Sequence, residues 1–194
     1  MRNTLMLGVS TLVVTFATSA AADRPTLKGT FGFTGSQACL TSLLGFNANL
    51  QAIDGRVFSS SGNVEGVRIF NGDGTGTVMG STTSITVPPT PGFQPAAGSD
   101  NFTLSFTYNV NADGTWTATN VPGTDQGTIL TGPRAGQTFT QENVPTITGL
   151  ISQDGKTLTS ANLEPKVEII AFSNGDVQPR ICHRSRVYIK LSDD

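Results

Sequence analysis

Residues 70 to 78 read FNGDGTGTV, and three glycines around one aspartate could cradle a phosphate, chelate calcium or close a hairpin. Each chemical reading demands a further residue at a set place. A P-loop puts Lys and then Ser or Thr directly after its last glycine, and Gly76 is followed by Thr77 and Val78. A dinucleotide fingerprint needs a glycine three positions after its second; counted from Gly72 and Gly74, that position is Thr77. The EF-hand pattern comes closer, with Asn71, Asp73 and Thr75 at ligand positions and Gly76 at the sharp turn. Its last ligand, however, falls on Thr82 where a bidentate Glu is required. A hairpin tip needs only what is present.

Other chemistry-bearing residues are sparse. His183 is the one histidine, so a multi-histidine zinc site is excluded; it reads as a strand-edge residue, with a general base as the alternative. No Gly-x-Ser-x-Gly elbow occurs. Glu65, Glu142, Glu164 and Glu168 fall on or near expected strands as solvated carboxylates. One turned inward would have a raised pKa and become a candidate acid or base. No catalytic residue, metal or cofactor is assigned, and the chain reads more as a binding protein than as an enzyme.

The N-terminus has the three parts of an export signal: Arg2, an apolar stretch from Leu5 to Ala17, and Ala20-Ala21-Ala22 before Asp23. Residues 1–22 are therefore expected to be a signal peptide and 23–194 a single domain, located in the periplasm or secreted. The apolar stretch is well short of the roughly 20 residues a spanning helix needs, so no transmembrane segment is expected in the mature chain. Without Arg2 the chain has 11 basic and 14 acidic residues, which argues against a nucleic-acid partner. Arg180, Arg184, Arg186 and Lys190 form the one basic cluster, read as a solvated strand face with an anion contact as the alternative. Cys39 and Cys182, the only cysteines, are expected to pair in an oxidising compartment. Closing so long a loop would stabilise the fold by roughly 5 kcal/mol, and it would make the first and last parts of the fold neighbours.

The elements that must hold these residues are short strands. From Asn101 to Val110, apolar Phe102, Leu104, Phe106, Tyr108 and Val110 alternate with polar residues, the period of a half-buried strand. Asn111-Ala112-Asp113-Gly114 then turns into Thr115 to Thr119, which carries Trp116 and Ala118. Similar tips stand at 71–74 and 153–155, and a fourth at 173–176. With Leu27 to Phe33 and Gly127 to Leu130, eight to ten strands are counted. Two interruptions stand out: Gly80 to Ser99, rich in proline, as a long extended loop, and Ser36 to Leu50, whose leucine spacing fits a short helix near the N-terminus. The expected fold is all-β, a single antiparallel up-and-down barrel. An outer-membrane barrel is set aside because most expected strands have five to seven residues, where about 9 to 11 are needed to span.

Gly29-Thr30-Phe31-Gly32-Phe33 in an early strand, with Arg184 and Arg186 in the last, resembles the calycin superfamily of lipocalin-like barrels; whole-chain character is also similar to small barrels of the allene oxide cyclase type. It departs at Phe31, where lipocalins have tryptophan, and lacks a second lipocalin signature. The resemblance implies a closed barrel whose interior holds a small apolar molecule, lined by Phe102, Leu104, Phe106, Tyr108 and Trp116, or else packs solid. The leading expectation is a non-catalytic exported barrel binding a small hydrophobic or amphipathic ligand. The alternatives are an envelope interaction or structural module, and a cofactor-free enzyme of the isomerase or cyclase kind.

Overall fold

The computed structural model describes residues 27–88 and 94–193; the expected signal peptide lies outside the described residues. Eleven strands form one antiparallel sheet: β1 (Lys28–Thr41), β2 (Phe58–Asn71), β3 (Thr75–Val87), β4 (Ala96–Val110), β5 (Thr115–Asn120), β6 (Gln126–Thr131), β7 (Thr138–Glu142), β8 (Ile147–Ile151), β9 (Thr157–Ala161), β10 (Val167–Phe172) and β11 (Val177–Ser192). No helix is present among the described residues.

The pairings close on themselves. From β1 the order runs to β2, β3 and β4, and there it splits into two tiers. The outer half of β4, Phe106 to Val110, pairs with β5, which leads through β8 and β9 to β11. Its other half, Ser99 to Thr103, pairs with β6, which leads through β7 and β10 to the other half of β11. Finally β11 pairs with β1 along twelve residue pairs. Five long strands thus form one side of the ring, and two tiers of three short strands form the other.

The breaks between tiers lie at residues 121–125, 143–146 and 162–166, and each contains a proline: Pro122, Pro145 and Pro165. Proline has no N–H for the ladder, so it ends a strand flanked on both sides. The long neighbours β4 and β11 run past these breaks, and two side chains take up the backbone groups left over. Thr124 Oγ1 accepts from Ser105 N at 3.0 Å and donates to Val121 O at 2.8 Å. Asn162 Nδ2 donates to Cys182 O at 2.8 Å, and its Oδ1 accepts from Arg184 N at 2.6 Å.

Alternation explains which face each strand buries. On β4, Leu104, Phe106 and Val110 are buried while Asn101, Thr103, Thr107 and Asn109 are exposed. The inward rows of neighbouring strands carry glycine opposite the large rings: Gly76 faces Phe106 and Gly80 faces Phe102, Gly127 faces Phe139, and Gly149 faces Trp116. A Cβ at Gly76 would lie 2.4 Å from the tip of the Phe106 ring, so the ring lies flat across the next strand, as aromatic residues do over glycine in twisted sheets.

At the end of the ring bearing the β2–β3, β4–β5 and β8–β9 turns, these inward rows meet in a packed core of Phe31, Phe70, Phe106, Trp116, Leu158 and Tyr188 with their neighbours. The Phe70 ring centroid lies 5.0 to 5.6 Å from those of Tyr108, Phe106, Phe31 and Trp116, all near edge-to-face. Each such ring contributes about 1.5–3 kcal/mol on burial. The expected tips are turns: Asp73 Oδ1 accepts from Thr75 N at 2.9 Å, Asp113 does the same for Thr115, and Gly74 and Gly114 have positive φ.

Cys39 and Cys182 are directly opposed on β1 and β11 and form a disulfide, so the staple joins the first strand to the last. Four expectations are corrected. Ser36 to Thr41 are the second half of β1, and residues 42–50 are turns with an isolated bridge at Phe46, so there is no helix; pairing of β1 on both edges outweighs the leucine spacing, and Leu40, Leu43 and Leu44 are exposed. The supposed loop from Gly80 to Ser99 is mostly strand, because β3 runs to Val87 and β4 begins at Ala96. Five strands have 13 to 16 residues, beyond the five to seven expected of most, while the other six have five or six. The Arg180, Arg184, Arg186 row, expected on a solvated face, turns inward with Cys182 and Tyr188. Strand length therefore no longer bears against a membrane barrel; the outward row of β2 runs through Ser59, Ser61, Asn63, Glu65, Val67 and Ile69, and Met79, Ile85 and Val87 on β3 and Val187, Ile189 and Leu191 on β11 are exposed.

Candidate functional site

Beyond the packed end the ring encloses a cavity of about 640 Å³, inside the roughly 300–1,000 Å³ range of small-molecule sites. Its deep part is lined by Phe33, Val64, Val78, Leu104 and Ile147. The far wall is a second apolar cluster of Phe139, Ile170 and Phe172, on which Phe102 and Ile129 pack. Leu43, Pro88, Gln94, Pro133 and Gln178 line the cavity from the opposite end of the ring.

A polar belt separates the two apolar regions, at the level of the strand breaks. Its centre is Glu168, fully buried on β10. Glu168 Oε2 accepts from Gln141 Nε2 at 2.7 Å, Arg180 Nε at 3.1 Å and Arg184 Nη2 at 2.6 Å, and Oε1 accepts from Arg184 Nη1. Arg180 Nη2 also donates to Gln141 Oε1 at 2.8 Å. Burial works to raise the Glu168 carboxyl, but the charges and hydrogen bonds of Arg184 and Arg180 outweigh it and hold the group below its usual range. The inward glutamate is therefore an ion-pair anchor and not a proton donor.

Asp125 behaves in the opposite way. It stands in the first strand break, 6 % exposed, and its Oδ2 accepts from Asn120 Nδ2 at 3.0 Å. Burial raises its carboxyl from 3.8 to about 6, with Arg180 and Arg184 restraining the rise. Asp100, also on the cavity wall, is raised by burial against the hydroxyl of Thr82.

Arg68, on β2, forms part of the cavity floor and is 7 % exposed. Its guanidinium carbon lies 4.4 Å from the ring centroid of Phe106, 5.4 Å from Tyr188 and 5.6 Å from Trp116. Nε and Nη1 are buried with no hydrogen-bond partner, and no carboxylate pairs with it among the described residues. Beside it Ser160 Oγ and Tyr188 OH are 3.0 Å apart, and both residues line the cavity.

Of the residues expected to face a ligand, Phe102 and Leu104 line the cavity. Phe106 and Trp116 are fully buried in the core beneath it, where they stack on Arg68. Tyr108 packs against that core and uses its hydroxyl to tie Leu27 O to the β2–β3 turn through Gly72 N. His183 points outward and is exposed, as are Glu65, Glu142 and Glu164. Arg68, Asp125 and Asp100 were not singled out from sequence. The signal for Arg68 was present: it occupies an inward place in the period-two row of Val64, Arg68 and Phe70. Asp125 follows Pro122-Gly123-Thr124 and looks like any loop aspartate. Compared with family models, curated proteins and solved structures, the chain shows no significant match to any of them.

Proposed function

We propose that this chain is an exported β-barrel that binds a small hydrophobic or amphipathic molecule in its interior. The observation that carries the reading is the cavity of about 640 Å³ with two apolar regions and a polar belt between them, a lining suited to a molecule with both kinds of surface. Export is supported by the signal-like N-terminus and by the Cys39–Cys182 disulfide. Titration of the purified, disulfide-bonded chain with Nile red, a neutral dye that brightens in apolar surroundings, tests the proposal, with native mass spectrometry to find a co-purified molecule. Saturable one-to-one dye binding supports the reading. Absence of both dye binding and any co-purified molecule refutes it.

One observation favours a second reading, an enzyme of the isomerase or cyclase kind. Asp125 lines the cavity with a carboxyl near 6, close to the value at which one group can take and return a proton near neutrality. Under that reading Asp125→Asn would retain dye binding and lose turnover of the bound molecule.

A further inference from the structure

We infer that the ligand carries an anionic head, most simply a carboxylate, and that it binds head-down on the Arg68 guanidinium at the cavity floor. The inference rests on the cavity-binding reading and adds the ligand's charge and orientation.

Guanidinium groups do not lose their charge in proteins, so Arg68 cannot relieve its burial by deprotonation. The other interior arginines have oxygen partners: Arg180 and Arg184 share Glu168, and Arg186 Nη1 donates to Ser36 O and Ser185 O. Arg68 has only ring faces, with Phe106 at 4.4 Å. Stacking occupies the face of the guanidinium and leaves its N–H donors in the plane. Nε and Nη1 are buried without a partner; Nη2 is not among those buried atoms, and an anion reaching the group through Nη2 would meet a charge that is costly while unpaired. The hydroxyls of Ser160 and Tyr188 share one hydrogen bond on the same lining, which leaves one O–H to donate to such a head. Val64, Val78, Leu104 and Phe33 on the adjoining wall give an apolar tail its first contacts. A cationic head would meet the like charge of Arg68 on the lining.

Decanoate and decan-1-ol share a chain length and differ in head charge, so they isolate the inference from the reading beneath it. Titrations of the wild-type chain, Arg68→Met and Arg68→Lys would be followed by calorimetry and by emission of Trp116, the one tryptophan. The wild type is expected to bind decanoate about tenfold or more tighter than the alcohol, the scale of a charge-assisted hydrogen bond. Arg68→Met should lose that preference and keep alcohol binding; Arg68→Lys, which keeps the charge without the fork, should keep part of the preference. Equal binding of the two ligands by the wild type, or a preference that survives in Arg68→Met, overturns the anionic head while leaving the cavity reading standing. Failure of both ligands to bind sinks both. The wild-type comparison decides the matter even if the methionine variant does not fold.

Discussion

Asp125 gives the chain a pH dependence of stability that runs opposite to ordinary acid denaturation. Its carboxyl is raised in the folded state from 3.8 to about 6, so the folded chain holds a proton that the unfolded chain has released. The resulting stabilisation is fully present below the unfolded value near 3.8 and is lost as pH rises through about 6. A shift of about two units corresponds to roughly 3 kcal/mol over the whole window, of which about 1.4 kcal/mol falls between pH 5 and 7.5. Because the side chain is 6 % exposed, solvent screening removes little of this. Glu168 does not confuse the measurement: its pKa is lowered, so the stability it contributes is lost only as pH falls below the ordinary carboxylate range. In Asp125→Asn the amide oxygen still accepts from Asn120 and has no proton to lose. Urea midpoints at pH 5 and 7.5, with equal slopes, should show the wild type losing about 1–1.5 kcal/mol more than the variant over that range. The variant should be the more stable of the two at pH 7.5. Parallel pH profiles would refute the assignment of a raised carboxyl to Asp125.

Four further outcomes follow from the same geometry. Replacing both Cys39 and Cys182 by Ser frees a loop spanning 143 positions and should cost about 2–5 kcal/mol, read as a fall in Tm of roughly 10 °C. Asn162→Ala should cost about 2–4 kcal/mol in chemical denaturation, since it leaves Cys182 O and Arg184 N without their partners; a loss under 0.5 kcal/mol would mean that the break is bridged by other means. Gly149→Ala places a Cβ 1.7 Å from Thr159 O and 2.5 Å from Trp116 Nε1 and should cost about 3 kcal/mol or more. Gly155→Ala, at a turn with φ near 68° and nothing within 4 Å, should cost only the roughly 1–2 kcal/mol of its backbone conformation.

What the sequence made legible was local. The alternation from Asn101 to Val110, the Asp-Gly turns and the expectation of a disulfide all appear in the structure, because period-two burial and positive-φ turns are written in neighbouring residues. Strand extent was not legible. Ser59 to Asn63 and Thr82 to Val87 are rich in Ser and Thr with few large apolar residues, and their inward Ser60, Thr82, Ser84 and Thr86 face a cavity. A wall around a cavity lacks the apolar half of the alternation that marks a strand against a packed core. The same cause hid the site. An inward arginine and an outward one have the same spacing: period two puts Arg180, Cys182, Arg184 and Arg186 on one face of β11, and only the burial of Cys182 and Arg184 shows that this face is the inner one.

That interior charge is itself an argument about purpose. Exchanging a buried ion pair for apolar side chains of similar volume is often neutral or stabilising, so stability alone does not explain Glu168 with Arg180 and Arg184 on the inside of the ring. Nor does it explain Arg68, which sits among aromatic rings without a counter-charge. The inward glycines at 76 and 149 are filled by Phe106 and Trp116 from the neighbouring strands, and the cavity begins at Phe33, Val64, Val78, Leu104 and Tyr188 of that core. Floor, belt and upper wall therefore differ in character for different reasons. Ring-over-glycine packing makes the floor solid. Proline breaks at the belt remove ladder bonds, and there Thr124, Asn162, the Glu168 network and the disulfide supply cross-links. Between these, the Arg68 guanidinium lies on the cavity lining with no carboxylate partner among the described residues, an arrangement that the proposed binding site explains and a packed core does not.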